Sequence, residues 1–342
     1  MSPLDWSAYP LVLAPMAGGP GTVALARAAA DGGMFPFLAG AYLSADRMAS
    51  DIDALRSATS SPFGVNVFAP SPELPSMQAD AETYAARLAP WAEDAGVALG
   101  EPRWDDDAFE AKVEVLVQAA PDVASFAFAW PPADAVTRLQ AVGTQVWVTL
   151  NDPSEGAWAA ELGVDGIVAQ GWEAGGHRAG PVDTGDEQPT VRELVGALRD
   201  ASDLPVMAAG GVTSGADAAE LLRLGAVAVA LGTAFLACPE AGTAAVHRHA
   251  LTHRTGTTVT RAFTGRSARA LTTTWTELLS GVAPRAYPHV HHVTAPLRAY
   301  GRANGEAELV NLWAGTGHAS VRTLPAARLG QLLRDELASE MA

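Results

Sequence analysis

LPVMAAGGVTSGADAAELLRLGAVAVALGTAF, residues 204–235, contains one complete strand–helix–strand unit. Leu204–Gly210 is an apolar run without strict alternation, as in a strand buried on both faces. Ala216–Leu224 is Ala- and Leu-rich, and Gly225 is a stop signal for a helix. Ala226–Thr233 is the next buried strand. Each strand ends in a glycine motif, Gly210-Gly211 and Gly232-Thr233, about 20 residues apart. In a barrel, the loops after the last two strands form the usual phosphate site. Backbone amides there point at the anion, and glycine keeps side chains out of the way.

Working backward, the same unit repeats. Apolar runs occur at Leu11–Ala17, Pro36–Leu43, Phe63–Ala69, Val123–Ala129, Gln145–Asn151 and Gly166–Gly171. Helical segments lie between them at Thr22–Asp31, Ala45–Ala58, Pro132–Ala141, Glu155–Leu162 and Thr190–Asp200. With the two strands above, this predicts an α/β fold, a (β/α)8 TIM barrel. An open doubly wound sheet ranks lower, because no dinucleotide fingerprint follows the first strand. The period breaks twice, after the third strand and after the eighth. Residues 1–69 and 121–240 are therefore expected to form the barrel. Residues 70–120 and 241–342 are expected to form a smaller cap or substrate domain.

Active sites of such barrels lie at the C-terminal ends of the strands. The first strand ends in Ala14, Pro15, Met16 and the pair Gly18-Gly19. Asn66 interrupts an apolar third strand, where a buried amide needs partners. A ligand ring edge and an internal backbone bond are equally good candidates. The sixth strand ends in Gln170, followed by Gly175, Gly176 and His177. A histidine on a Gly-rich loop at a barrel mouth is a general-base candidate, since its ordinary pKa is near neutrality.

Composition limits the partners. The 342 residues carry a net charge of −16, and Lys112 is the only lysine. Such a chain repels nucleic acid and anionic membranes. Cys238 is alone, so no internal disulfide forms, and a reducing cytoplasm fits. The N-terminus MSPLDWSAYP lacks a leader pattern. His289, His291 and His292 are closely spaced, but without an adjacent acidic partner they are read as loop residues, with no metal expected. His249 and His253 can share a surface helix face, with His247 on the same helix. Asp105-Asp106-Asp107 is read as a solvated helix start favoured by the dipole.

Eight segments together carry a family resemblance. They are Ala-Pro-Met-Ala-Gly-Gly (14–19), Gly-Val-Asn-Val-Phe (64–68), Ser-Phe-Ala-Phe (125–128) and Gln-Gly-Trp-Glu-Ala-Gly-Gly-His-Arg (170–178). Ala-Ala-Gly-Gly-Val (208–212), Leu-Gly-Thr-Ala-Phe (231–235), Thr-Arg-Ala-Phe-Thr-Gly-Arg (260–266) and Leu-Trp-Ala-Gly-Thr-Gly (312–317) complete the set. In order and over nearly the whole chain, this resembles the nitronate monooxygenases, formerly 2-nitropropane dioxygenases. The resemblance implies FMN across the barrel mouth. Met16, Asn66 and Gln170 would approach its ring, and Gly211, Gly232 and Thr233 would hold its phosphate. Ala14, Pro15, Gly175, Gly176 and Gly210 are assigned to the same cofactor site. His177 would face the substrate, with Ser125 and Tyr287 beside it.

The activity implied is oxidation of a nitronate or related anion by O2. The alternatives are an FMN-dependent NAD(P)H reductase acting on quinones or enoyl thioesters, and a non-catalytic or pathway-specific flavin protein. A homodimer is compatible with the sequence. The chain departs from the family at Ala129, where glycine often closes the Ser-Phe-x-Phe element, and in the histidine cluster after Tyr287-Pro288.

Overall fold

The eight apolar runs become eight parallel strands closed into a barrel, as the sequence pattern predicts. The computed structural model describes residues 4–185 and 187–342, so the first three residues of the N-terminal stretch lie outside it. The strands, in chain order, are β1 Leu11–Leu13, β2 Phe35–Ala39, β3 Gly64–Phe68, β4 Val123–Ala127, β5 Gln145–Leu150 and β6 Gly166–Gln170. Then follow β7 Gly176–His177, β8 Val206–Ala209, β9 Ala228–Leu231, β10 Thr257–Thr260 and β11 Ala268–Leu271. Strand β9 pairs with β1 through Val12↔Ala230, which closes the ring. Strands β10, β11 and β7 form a separate antiparallel sheet.

The helices are α1 Val23–Asp31, α2 Ala45–Ala58, α3 Met77–Ala95, α4 Phe109–Ala119, α5 Ala133–Ala141 and α6 Gly156–Leu162. They continue as α7 Val191–Ala201, α8 Gly215–Arg223, α9 Ala245–His253, α10 Thr274–Leu279, α11 His289–Asn304 and α12 Ala326–Met341. Their starts follow local capping chemistry. Thr190 and Ser214 cap α7 and α8 with complete capping boxes to Glu193 and Asp217.

Alternate strand residues face two different cores. Leu11 and Leu13 pack outward under the helices, whereas Val12 joins Trp6, Phe35, Phe37 and Trp147 inside the barrel. Glycine makes room there. A Cβ on Gly166 would sit 2.6 Å from the Trp147 ring, and one on Gly64 would sit 2.3 Å from Phe37. A third core lies outside the barrel. Tyr84 and Leu88 of α3, Trp275 of α10 and Val290, Val293 and Leu297 of α11 bury one another with Phe263.

Two helices of the ranges expected to form the cap pack in the barrel's ring instead. Helix α4 packs against β3, α2 and α5, so it is the crossover between β3 and β4. Helix α12 packs against α8 and α1, filling the eighth position. The stripe Leu329, Leu333 and Leu337 anchors it. The chain thus leaves the barrel after β9, forms α9, β10, β11, α10 and α11, and returns with α12 to close the ring. A long excursion hides that return from a reading by period.

Candidate active site

The C-terminal strand ends surround a cavity of about 430 Å3. Ala14, Pro15, Met16, Asn66, Ser125, Gln170, Gly175, Gly176, His177, Gly210, Gly211, Gly232 and Thr233 all line it. The sequence-predicted residues are therefore brought together, with one exception. Tyr287 stands behind the wall, edge-on to Phe128 at 5.1 Å, and its hydroxyl meets that of Tyr42 at 3.3 Å. Tyr42 lines the cavity in its place.

On one side lie the loops after β8 and β9. Gly210 and Gly211 hold φ of +124° and +71°, a region disfavoured for residues with a side chain. Gly232 leads into a single helical turn, Thr233–Phe235. The Thr233 hydroxyl accepts the Gly315 amide at 3.0 Å, which ties this loop to the late Gly-Thr-Gly segment. Backbone amides and a short helix start make a donor set suited to a phosphate. The cavity volume suits a cofactor-sized ligand.

Across the barrel, Phe68 ends β3 and Phe128 follows β4, and their rings stack at 3.9 Å. His177 sits beside them, its ring 5.3 Å from Phe128 and 5.2 Å from Trp313. Its backbone is fixed twice. Strand β7 pairs it with Ala268 of β11, and Gln170 Nε2 donates to its carbonyl at 3.0 Å. Its ring Nε2 meets the Thr264 hydroxyl at 2.9 Å, and that hydroxyl also reaches the Arg266 carbonyl at 3.3 Å. Burial, then the charges of Arg266 and Arg298, push the His177 pKa down to about 3. The ring is neutral at pH 7, so it can accept a proton but carries no charge to attract an anion.

The two predicted amides act first within the protein. Asn66 donates to the Ser125 carbonyl at 3.1 Å and to its hydroxyl at 2.9 Å, the internal alternative left open by the sequence. Gln170 Oε1 accepts from Asn151 Nδ2 and the Ala179 amide, both at 2.9 Å. Arg178, 1% exposed, closes the loop by donating to the carbonyls of Gly171 and Gln170 at 2.7 and 2.8 Å.

Three groups that the sequence reading left outside the site border it or support its wall. Asp107 is not part of a simple solvated run. Its Oδ1 accepts the Tyr42 amide at 3.0 Å, and its Oδ2 lies 2.7 Å from Nζ of buried Lys112. This pins Tyr42 at φ +63° on the cavity wall. Its neighbour Asp105 pairs with His292 at 2.6 Å. Within the histidine cluster, only His291 reaches the cavity, stacked on Tyr42 at 4.5 Å, while His289 is buried beside Glu73. They begin α11 and are not loop residues. Helix α11 presents His291, Ala295, Arg298 and Arg302 to the cavity, the i, i+4, i+7, i+11 stripe of a helix face. The last group is His247, buried and bonded to the Trp313 carbonyl at 3.1 Å. The apolar spacing of α11 and the chain's single lysine were signals available in the sequence.

Among the described residues, no group of three or more His, Cys, Asp or Glu is placed to hold a metal ion. Among the same residues, no helix is long and apolar enough to cross a membrane.

The model of the family described as nitronate monooxygenase matches residues 4–336. A nitronate monooxygenase of Pseudomonas aeruginosa is 37% identical, over 96% of this chain and 96% of its own. The crystal structure of a nitroalkane oxidase from Streptomyces ansochromogenes superposes with a TM-score of 0.94 at 42% identity. That match covers 97% of this chain and 96% of the other. FabK from Thermotoga maritima shares the fold, with a TM-score of 0.76 at 23% identity over 98% of this chain and 94% of its own.

Proposed function

Because the chain belongs to the nitronate monooxygenase family, we propose that it binds FMN non-covalently and oxidises alkyl nitronates with O2 to a carbonyl compound and nitrite. The observation that carries this reading is the two-sided cavity. Glycine loops after β8 and β9 face a neutral histidine and an aromatic wall across the barrel. Gly210, Gly211, Gly232 and Thr233 would hold the phosphate. Ala14, Pro15, Met16, Gly175 and Gly176 give close backbone approach to a flat ring, and Asn66 and Gln170 border it. A bound flavin supplies the electron acceptor, a chemistry no side chain here provides.

The chain's own residues orient and exclude. Phe68, Phe128 and Trp313 keep water from the reacting end of the site. Ser125 lines its floor, and Tyr287 buttresses Tyr42 and Phe128 from behind. A nitronate is already an anion and needs no base. A neutral nitroalkane must first lose its α-proton, and neutral His177 is placed to take it. A positioned base is worth roughly 10²–10⁴-fold.

Two measurements test the reading. Heat-released chromophore is identified by mass, with FMN expected; FAD, or a protein that cannot be loaded with flavin, overturns the cofactor assignment. Oxygen uptake is then compared for wild type and His177→Asn on a matched nitroalkane and nitronate, from about pH 6 to about pH 9. Nitroalkane turnover should collapse while nitronate turnover persists. Because kcat/KM reports the free enzyme and His177 titrates near 3, it should show no acid limb from this residue in that range. Equal losses on nitroalkane and nitronate at every pH in His177→Asn remove the base role, whereas a limb near pH 6 that vanishes in that variant keeps the role and overturns only the depressed pKa. Rapid NADH oxidation without nitronate turnover places the protein among the reductases.

A further inference from the structure

The chain is strongly acidic, with 38 Asp and Glu against 22 Lys and Arg. Among the described residues, no carboxylate lines the cavity. The only charged lining residues among those described are Arg298 and Arg302, both from the cavity face of α11. Arg302 is exposed, whereas Arg298 is 6% exposed.

Arg298 is held but not neutralised. Its Nε donates to Thr294 Oγ1 at 3.0 Å, and Nη2 donates to the His291 carbonyl at 2.8 Å and to His291 Nδ1 at 3.2 Å. Among the described residues, Nη1 forms no hydrogen bond and no carboxylate lies within ion-pair distance. The bond to Nδ1 requires a lone pair there, so the proton of neutral His291 is on Nε2. A buried cation without a counter-ion is costly, and proteins ordinarily pair it. Here the missing partner faces the cavity.

We infer that Arg298 is the recognition residue for the anionic nitro group of the substrate, its Nη1 edge completing an ion pair that the protein leaves open. This rests on the nitronate reading of the site. It assigns the anion-binding task to Arg298 and leaves His177 free as a neutral base. Burial lowers the Arg298 pKa only to about 10, so its charge persists across the working range. His291 positions it. Stacking on Tyr42 fixes the imidazole ring, and that ring accepts from the guanidinium without adding charge.

The test uses flavin-loaded protein and nitrite, an anion of the same nitrogen–oxygen geometry, titrated by calorimetry. Nitronate KM and kcat are measured in parallel. Arg298→Gln should weaken nitrite binding and raise nitronate KM roughly 10- to 100-fold, with kcat changed far less. A second pair leaves Arg298 in place. Ala295 is one turn before it on the same face, so Ala295→Glu supplies an internal counter-ion and should abolish nitrite binding. The neutral Ala295→Gln should keep it. Equal nitrite affinity in the Glu and Gln variants at 295 overturns the assignment. So does a folded, flavin-loaded Arg298→Gln that binds nitrite like wild type, or a wild type with no saturable nitrite binding. If wild type binds nitrite through Arg298 yet oxidises no nitronate, the nitronate reading falls and the anion site stands.

Discussion

At the scale of single residues, the glycines of the site are not interchangeable. Gly211 holds φ +71°, and a Cβ there would lie 3.0 Å from Glu173 Cβ. A charged replacement at 211 would therefore disturb the backbone whether or not a phosphate sits nearby. Gly232 is the better probe. Its φ of −109° suits any residue, and an added Cβ would meet Ala14 Cβ at an ordinary 3.6 Å. Gly232→Asp puts a carboxylate beside the proposed phosphate position without backbone strain. Like charges at about 4 Å cost several kcal/mol at an effective dielectric of about 20. The expected variant has wild-type circular dichroism and thermal unfolding of the apoprotein but little bound flavin. Full flavin content would move the phosphate away from the β9 loop.

At the scale of elements, strands and helices differed in how legible they were. All eight barrel strands could be read because each is a short apolar run bounded by turn residues, and burial on both faces leaves few polar interruptions. Strand β7 could not. It has two residues, and its pairing with β11 depends on a cap sequence about 90 residues later. His177 was legible from its glycine neighbours, but Arg298 was not. Nothing local in Thr294–Arg298 says that the guanidinium is buried without a carboxylate, a fact created by α3 and the barrel mouth. Helix α12 was legible as a helix but not as a wall of the barrel. Its placement makes a specific prediction. Leu333 is fully buried between α8 and α1, so Leu333→Ala should cost about 2–5 kcal/mol in urea unfolding. A peripheral cap helix would lose far less. The measurement therefore separates a closing helix from an appendage.

At the scale of the whole molecule, charge distribution sets a balance between far and near fields. The net charge of −16 surrounds the protein with a potential that repels an anionic substrate. Inside the cavity the sign reverses, because Arg298 is buried there and no carboxylate among the described residues lines the wall. Salt acts on these two fields unequally. The Debye length falls from roughly 30 Å at 0.01 M to about 10 Å at 0.1 M, so the summed surface charge is screened first. A buried cation facing an enclosed ligand is screened much less. Rising ionic strength should therefore improve nitronate binding, the reverse of the trend for an anion drawn in by a cationic surface. The measurement is nitronate KM from about 0.01 M to about 0.1 M of a salt whose bulky anion cannot enter the cavity. KM is expected to fall over that range, and the slope should flatten when surface carboxylates near the mouth are replaced by amides. A KM that climbs steadily with salt would mean that the exposed guanidinium of Arg302 and its surroundings dominate the approach. Attraction at the entrance would then outweigh repulsion by the molecule as a whole.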